Sequence, residues 1–134
     1  QILSDSGDIK IGNLAPRRDL NYVADSCQAM IEIVKGENTI GKTINICSGQ
    51  SVSIEELCHI ILEMMNSNKK PVIELSRKRP ANSEVQQLLG DYKRLHSLTG
   101  WEPRHPLQEG LKKTIEWFKE KENVRHYKNH IYNI

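Results

Sequence analysis

Arg79-Pro80-Ala81-Asn82-Ser83-Glu84-Val85, followed through Gly90-Asp91 by Thr99-Gly100-Trp101-Glu102-Pro103, is the stretch on which the reading of this chain turns. Asp91 can cap a helix running to Thr99, with Leu95 and Leu98 pointing inward and Gly100 at the C-cap position. Trp101 is then expected to close over the core. Downstream, Leu107, Leu111, Thr114, Ile115 and Phe118 recur at three and four residues. Glu109 lies early and Lys119 and Lys121 late, as the helix dipole prefers, so a final helix is predicted.

Upstream, Pro71 to Leu75 reads as a short strand leading into the basic turn Arg77-Lys78-Arg79-Pro80. Ser53-Ile54-Glu55-Glu56 is a capping box, from which Ile54, Leu57, Cys58, Ile61, Leu62 and Met65 run along one helical face as far as Asn66-Ser67-Asn68. Thr43 to Cys47, β-branched and bounded by Gly41 and Gly49, reads as a buried strand. Tyr22, Val23, Cys27, Met30, Ile31 and Val34 form a 3.6-residue stripe stopped by Gly36, which predicts a helix over 22–35. Ile9, Ile11 and Leu14 form an alternating strand, and Asn13 to Arg18 with Pro16 a loop. Gln1-Ile2-Leu3 resembles the frayed end of a helix. The fold class is therefore α/β: a small domain of short strands with three to four amphipathic helices.

The chain has 134 residues, 37% hydrophobic and 27% charged, which is enough for one domain with a core. A formal charge of +2, with basic and acidic residues interspersed, lacks the electrostatic footprint of a duplex binder and argues against nucleic acid. No apolar run reaches the roughly 18 residues of a bilayer span, and no basic-then-apolar leader is visible, so a soluble, cytoplasmic protein without a membrane partner is expected. Cys27, Cys47 and Cys58 are odd in number and widely spaced; buried free thiols fit better than a disulfide framework or zinc knuckle.

Arg17-Arg18-Asp19 supplies a second arginine station, remote in sequence from Arg79. A diphosphate suits such a pair, because a planar guanidinium grips two phosphate oxygens together. Arg18 and Arg79 are the candidates; the competing reading pairs each with a carboxylate such as Asp19 or Glu84. His126 and His130 are four apart but lack a third metal ligand, so no metal site is assigned. Cys58-His59 are helix neighbours that diverge by about 100° and make no nucleophile pair. Lys69-Lys70 reads as a solvated turn.

Five segments carry a family likeness: Ile9-Lys10-Ile11-Gly12-Asn13-Leu14, the run from Arg17 to Asp25, Ile44-Asn45-Ile46-Cys47-Ser48-Gly49, Arg79-Pro80-Ala81-Asn82-Ser83-Glu84-Val85, and Gly100-Trp101-Glu102-Pro103. With Leu107-Gln108-Glu109-Gly110-Leu111 and Thr114-Ile115-Glu116-Trp117-Phe118, they resemble, in order, the C-terminal half of extended short-chain dehydrogenase/reductases (SDRs) acting on nucleotide sugars. Arg-Pro-x-Asn-Ser-Glu-Val and the tail Tyr127-Lys128-Asn129-His130-Ile131-Tyr132-Asn133 look most like nucleotide-activated N-acetylglucosamine 4,6-dehydratases of bacterial surface-sugar pathways. GDP-mannose dehydratases and keto-sugar reductases follow.

The resemblance implies that Arg18 and Arg79 bind the diphosphate, that Glu84 or Asn82 contacts the ribose, and that the strand from Ile11 to Asn13 borders the base. Asp25 is expected to cap a helix rather than touch ligand. The implied cycle oxidises sugar C4 with NAD, in preference to NADP, eliminates water across C5 and C6, and returns hydride to C6. The family's glycine-rich fingerprint and catalytic Tyr-x-x-x-Lys belong to its N-terminal Rossmann half, and neither occurs here: four residues beyond Tyr22, Tyr92 and Tyr127 stand Ser26, His96 and Ile131. Residues 1–134 are thus read as a C-terminal nucleotide-sugar-binding fragment, inactive alone, holding no catalytic residue and belonging to a homodimeric enzyme. A 4-epimerase or 4-keto-sugar reductase is the alternative within the family. A stand-alone, non-catalytic nucleotide-sugar-binding or interaction module is the alternative outside it.

Overall fold

The computed structural model describes residues 1–4, 7–125 and 127. The chain folds as two compact units, Gln1–Pro16 with Ser53–Gln86 and Leu111–Ile134, and Arg17–Val52 with Gln87–Gly110. The mixed α/β class with short strands is as the sequence predicts.

In the first unit, β1 (Ile9–Ile11) runs parallel to β4 (Pro71–Ile73), with Ile9 opposite Pro71 and Ile11 opposite Ile73. The ladder is extended at its ends by Ile9 N–H donating to the Lys70 carbonyl at 2.8 Å and Glu74 N–H to the Ile11 carbonyl at 2.8 Å. β4 stops at Ile73, and Leu75–Arg77 winds into a 3₁₀ turn in place of the longer strand expected. There Glu74 binds both Lys10 at 3.1 Å and Arg77, and these two cations hold its carboxyl below the usual carboxylate range. Gly12 is required where it stands, since a Cβ would sit 2.1 Å from the Arg77 carbonyl oxygen.

α2 (Ile54–Met64) starts at the predicted capping box, with Ser53 Oγ accepting from Glu56 N–H at 3.1 Å and Glu56 Oε2 from Ser53 N–H at 2.8 Å. Two further first-turn amides, Ile54 and Glu55, donate to the Pro16 and Leu14 carbonyls, each at 3.0 Å, so the loop after β1 satisfies the helix end. Lys69 is not the solvated side chain expected: its Nζ donates to the Gln1 and Ser4 carbonyls at 2.7 and 2.6 Å. Those hydrogen bonds hold Gln1–Ser4 as a turn and not as a helix end. α4 (Leu107–Lys119) buries Ile115, whereas Thr114, expected on the same face, is exposed. Beyond it come α5 (Lys121–Val124) and Tyr127, whose ring meets Phe118 edge-on at 5.0 Å. The tail motif from Lys128 onward, with His126 and His130, lies outside the described residues.

The second unit is built on a three-stranded sheet in the order β3 (Ser51–Ser53), β2 (Arg17–Asp19), β5 (Gln87–Leu88). β2 replaces the C-terminal end of the predicted loop. The unit's helices are α1 (Val23–Lys35), capped C-terminally at Gly36, and α3 (Lys93–Thr99). Their core is Ala29, Leu95 and Trp101, joined by Ile33, Ile44, Ile46 and Tyr92. Trp101 closes over it as expected, 6% exposed and edge-on to Tyr92 at 5.9 Å. Gly100 takes the left-handed C-cap conformation at φ 73°. Asp91 lies one residue before the N-cap Tyr92, yet its carboxylate still accepts from Lys93 N–H at 2.8 Å.

Three features of this unit and its neighbour differ from expectation. Thr43–Cys47 is not a strand: its isoleucines pack on the core, but no backbone–backbone hydrogen bond joins it to another segment among the described residues. Cys27 is exposed, on the outward side of α1, while Cys47 is buried and Cys58 half-buried. Asp25 does not cap α1, which it enters in the first turn; it is drawn instead to a loop 80 positions away.

Candidate functional site: two arginine stations

Arg18 lies on the central strand of the second unit, opposite Leu88 on β5. Strand alternation sends its side chain to the face opposite those of Arg17 and Asp19. Arg17 is tied down by Nη2 donating to the Ser51 carbonyl at 2.8 Å, while Arg18 Nη1 folds back on the Arg17 carbonyl at 2.8 Å. Both arginines are half-buried, which excludes part of the water that would screen a bound anion.

Asp19 has a different role from the pairing considered for it in the sequence. Its Oδ1 accepts from Ser48 N–H and Oγ–H at 2.8 and 2.6 Å, and its Oδ2 from Gly49 N–H and Gly90 N–H at 2.9 and 3.2 Å. Four donors use the four lone-pair directions of an ionised carboxylate. Gly90 reaches this node because it has no side chain: a Cβ there would stand 2.5 Å from both Cys47 Cβ and Sγ.

Arg79, Asn82, Glu84, Asn13 and Ile11 all belong to the first unit. Pro80 directs the chain from Arg79 into a 3₁₀ turn over Ala81–Ser83, closed by Ser83 N–H and Oγ–H donating to the Pro80 carbonyl at 2.9 and 3.0 Å. Asn13 Nδ2 donates to Glu84 Oε2 at 3.5 Å, and Asn13 Oδ1 accepts from Ala15 N–H at 3.2 Å. The structure thus brings Asn13 and Glu84 together across 71 positions, two residues beyond Ile11. Arg79 and Asn82 are exposed, and neither has a hydrogen-bond or ion-pair partner among the described residues. Arg79 is therefore not neutralised by Glu84. Arg18 belongs to the other unit.

Two clefts open in the second unit. One, of about 550 Å³, is bordered by Gly49, Gly90, Tyr92, Lys93, His96 and Glu102. The other, of about 230 Å³, is bordered by Ser48, Gln50, Ser51, Arg104 and His105. Arg18 borders neither. Behind the smaller cleft lies a buried pair that the sequence did not disclose. Asp25, 4% exposed, accepts from the Arg104 and His105 amides at 3.1 and 2.9 Å and meets His105 Nδ1 at 2.7 Å. Burial pushes its carboxyl upward, but the ring and amide donors of His105 and Arg104 outweigh it, and the net direction is down. Among the described residues no three His, Cys, Asp or Glu side chains are placed to hold a metal ion. Among them, too, no helix is long and apolar enough to cross a membrane. Each unit carries one of the two candidate arginines, Arg79 in the first and Arg18 in the second.

The family model described as GDP-mannose 4,6 dehydratase matches residues 1–114. The chain belongs to this family. A dTDP-D-glucose 4,6-dehydratase of Mus musculus is 29% identical over 88% of the chain, which covers 33% of that protein. A UDP-glucose 4-epimerase from Thermotoga maritima, solved with UDP-glucose, superposes with a TM-score of 0.74 and 27% identity over 84% of the chain and 35% of that structure. A UDP-glucuronic acid 4-epimerase from Bacillus cereus, solved with NAD, shares the fold with a TM-score of 0.75 at 20% identity over 92% of the chain and 37% of that structure. The chain spans about a third of the length of the curated relatives it matches. That membership agrees with the likeness read from the ordered segments between Ile9 and Phe118. Asp25 with His105 gave no signal, because their pairing exists only in three dimensions.

Proposed function

We propose that this chain is the substrate-holding part of an NAD-dependent nucleotide-sugar 4,6-dehydratase, a lyase acting in polysaccharide sugar biosynthesis in the cytoplasm as a homodimer. Arg18 and Arg79 grip the diphosphate, Glu84 or Asn82 meets the ribose, and Ile11 and Asn13 border the base. The observation that carries the reading is the family match over residues 1–114, and the solvent-facing Arg79 without a carboxylate partner among the described residues supports it. Binding remote parts of the substrate holds the hexose in register for chemistry supplied elsewhere.

The residues of this chain do not fit the dinucleotide. Its eight glycines form no G-x-x-G-x-x-G array, so the nicotinamide cofactor, present as NADPH or NAD in solved structures that share the fold, is assigned to the part of the fold that these residues do not span. Titration calorimetry of the chain with UDP-, GDP-, CDP- and dTDP-sugars tests the binding role. Arg18→Ala and Arg79→Ala should each weaken binding by about one to two orders of magnitude, since a hydrogen bond to a charged group is worth about 1.5–3 kcal/mol. Unchanged affinity in both variants would remove the diphosphate assignment. Incubating the full-length protein with NAD and a nucleotide hexose should give a 4-keto-6-deoxy product; an epimerised sugar would assign the epimerase branch instead.

A further inference from the structure

The ladder joining β2 to β5 contains only two residue pairs, Arg17 with Gln87 and Arg18 with Leu88. So short a pairing specifies its register weakly, and a slip of one residue exchanges the two faces of a strand. For β2 that exchange would swap Arg17, which is held by Ser51, with Arg18. The polar contacts at the end of the strand are denser than the ladder itself. Asp19 binds the turn that leads into β3, through Ser48 and Gly49, and Gly90 just beyond β5, so one carboxylate fastens both neighbours of β2.

We infer that Asp19 is a positioning residue, a register pin that decides which of the two arginines occupies the ligand-facing side of β2. The inference rests on the proposed role of Arg18 but concerns a different residue and a different property. Three features support a pin over an ordinary turn contact. The acceptor is charged while most of the donors are backbone amides, which gives bonds about twice as strong as neutral ones. The donors come from segments 29 and 71 positions away, so they fix tertiary placement. Gly90 lies so close to Cys47 that a Cβ there would stand 2.5 Å from its Cβ and Sγ, so the approach of this loop to Asp19 depends on glycine.

The test uses the whole chain in two independent measurements. In ¹⁵N NMR, the Nε–H order parameters of Arg17 and Arg18 are compared between the wild type and Asp19→Asn, with Arg77, ion-paired to Glu74 in the other unit, as internal control. The variant should lose order at both β2 arginines, lose the Arg18–Leu88 cross-strand contact and leave Arg77 unchanged. Retained order and contact would overturn the inference whatever the chain binds. Ser48→Ala, which removes only the Oγ–H donor, should give a smaller change of the same kind and serves if Asp19→Asn does not fold.

The second measurement is a double-mutant cycle on UDP and GDP affinity. Asp19→Asn should weaken binding at least tenfold in the wild type and hardly at all in Arg18→Ala, because it acts through Arg18. Equal effects in both backgrounds would overturn the inference while sparing the diphosphate assignment. An Arg18→Ala variant that binds like the wild type would instead refute that assignment and leave the NMR result to judge the pin.

Discussion

Replacing Asp25 by alanine should be the most damaging single polar substitution in the second unit. The carboxylate is 4% exposed and is the acceptor for two backbone amides and one imidazole nitrogen. Its removal strands those donors in a half-buried loop, at about 1–3 kcal/mol for each unsatisfied group. Relaxation and water entry reduce the sum over the three donors, so a loss of about 3–5 kcal/mol is expected. That is a large share of the roughly 5–15 kcal/mol that stabilises a domain. Urea unfolding followed by Trp101 fluorescence in a Trp117→Phe background reports on this unit, because the sequence has only two tryptophans. With an m-value of about 1–3 kcal/mol/M, the midpoint should fall by about 1 M or more. Acid provides an independent check. The folded-state pKa of Asp25 is lowered, so its contribution is complete above the unfolded-state carboxylate pKa and is lost as pH falls through the folded value. The gap between wild type and Asp25→Asn should therefore narrow on acidification below about pH 4. A midpoint shift under about 0.3 M at neutral pH, or a gap that widens in acid, would refute the reasoning.

Gly90→Ala should destabilise by about 1–3 kcal/mol in the same urea assay, and Cys47→Ala should recover part of the loss by removing the Sγ that a Cβ would meet at 2.5 Å. Leu95→Ala, at a fully buried position, should cost about 2–5 kcal/mol, read as a lowered midpoint at unchanged m-value. With Ellman's reagent, exposed Cys27 should react first; burial raises the thiol pKa of Cys47 and Cys58, with Asp19 and Glu55 adding to it, and both should lag by at least tenfold. The amides of Ile44 and Ile46 should exchange faster than that of Ile9, which donates to Lys70, although both isoleucine side chains pack on the core.

Helices were legible because their signals are local. The Ser53 capping box, the Gly36 stop of α1 and the left-handed Gly100 each lie within one or two turns of the element they end. The stripe read for α1, by contrast, marks the wrong face: Val23, Met30, Ile31 and Val34 are exposed, and Ala29 with Ile33 packs on the core. Strands were less so. Thr43–Cys47 has the composition of a strand and the side-chain alternation of one, with Ile44 and Ile46 inward, yet a strand is defined by a neighbour's donors and acceptors. Composition cannot supply those. The converse error, Arg17–Asp19, has no β-branched residue at all, and becomes a strand because β3 and β5 flank it. Tertiary context overrides propensity most easily in segments this short.

The candidate site shows the same division between chemistry and placement. An arginine beside a proline, or two in succession before an acid, displays its charge in one dimension, and on that basis Arg79 and Arg18 stand out from the other basic residues. What surrounds each arginine is long-range. Asn13 meets Glu84 across 71 positions, and Asp19 gathers amides from Ser48, Gly49 and Gly90. Sequence adjacency favours neutralisation of Arg18 by Asp19, but neighbouring strand residues point to opposite faces and cannot pair easily across the backbone. With its lone pairs already taken by four donors, the acid organises the loops that flank β2. Where the negative charge of this segment is directed is thus fixed by the fold and not by the count of charges in it.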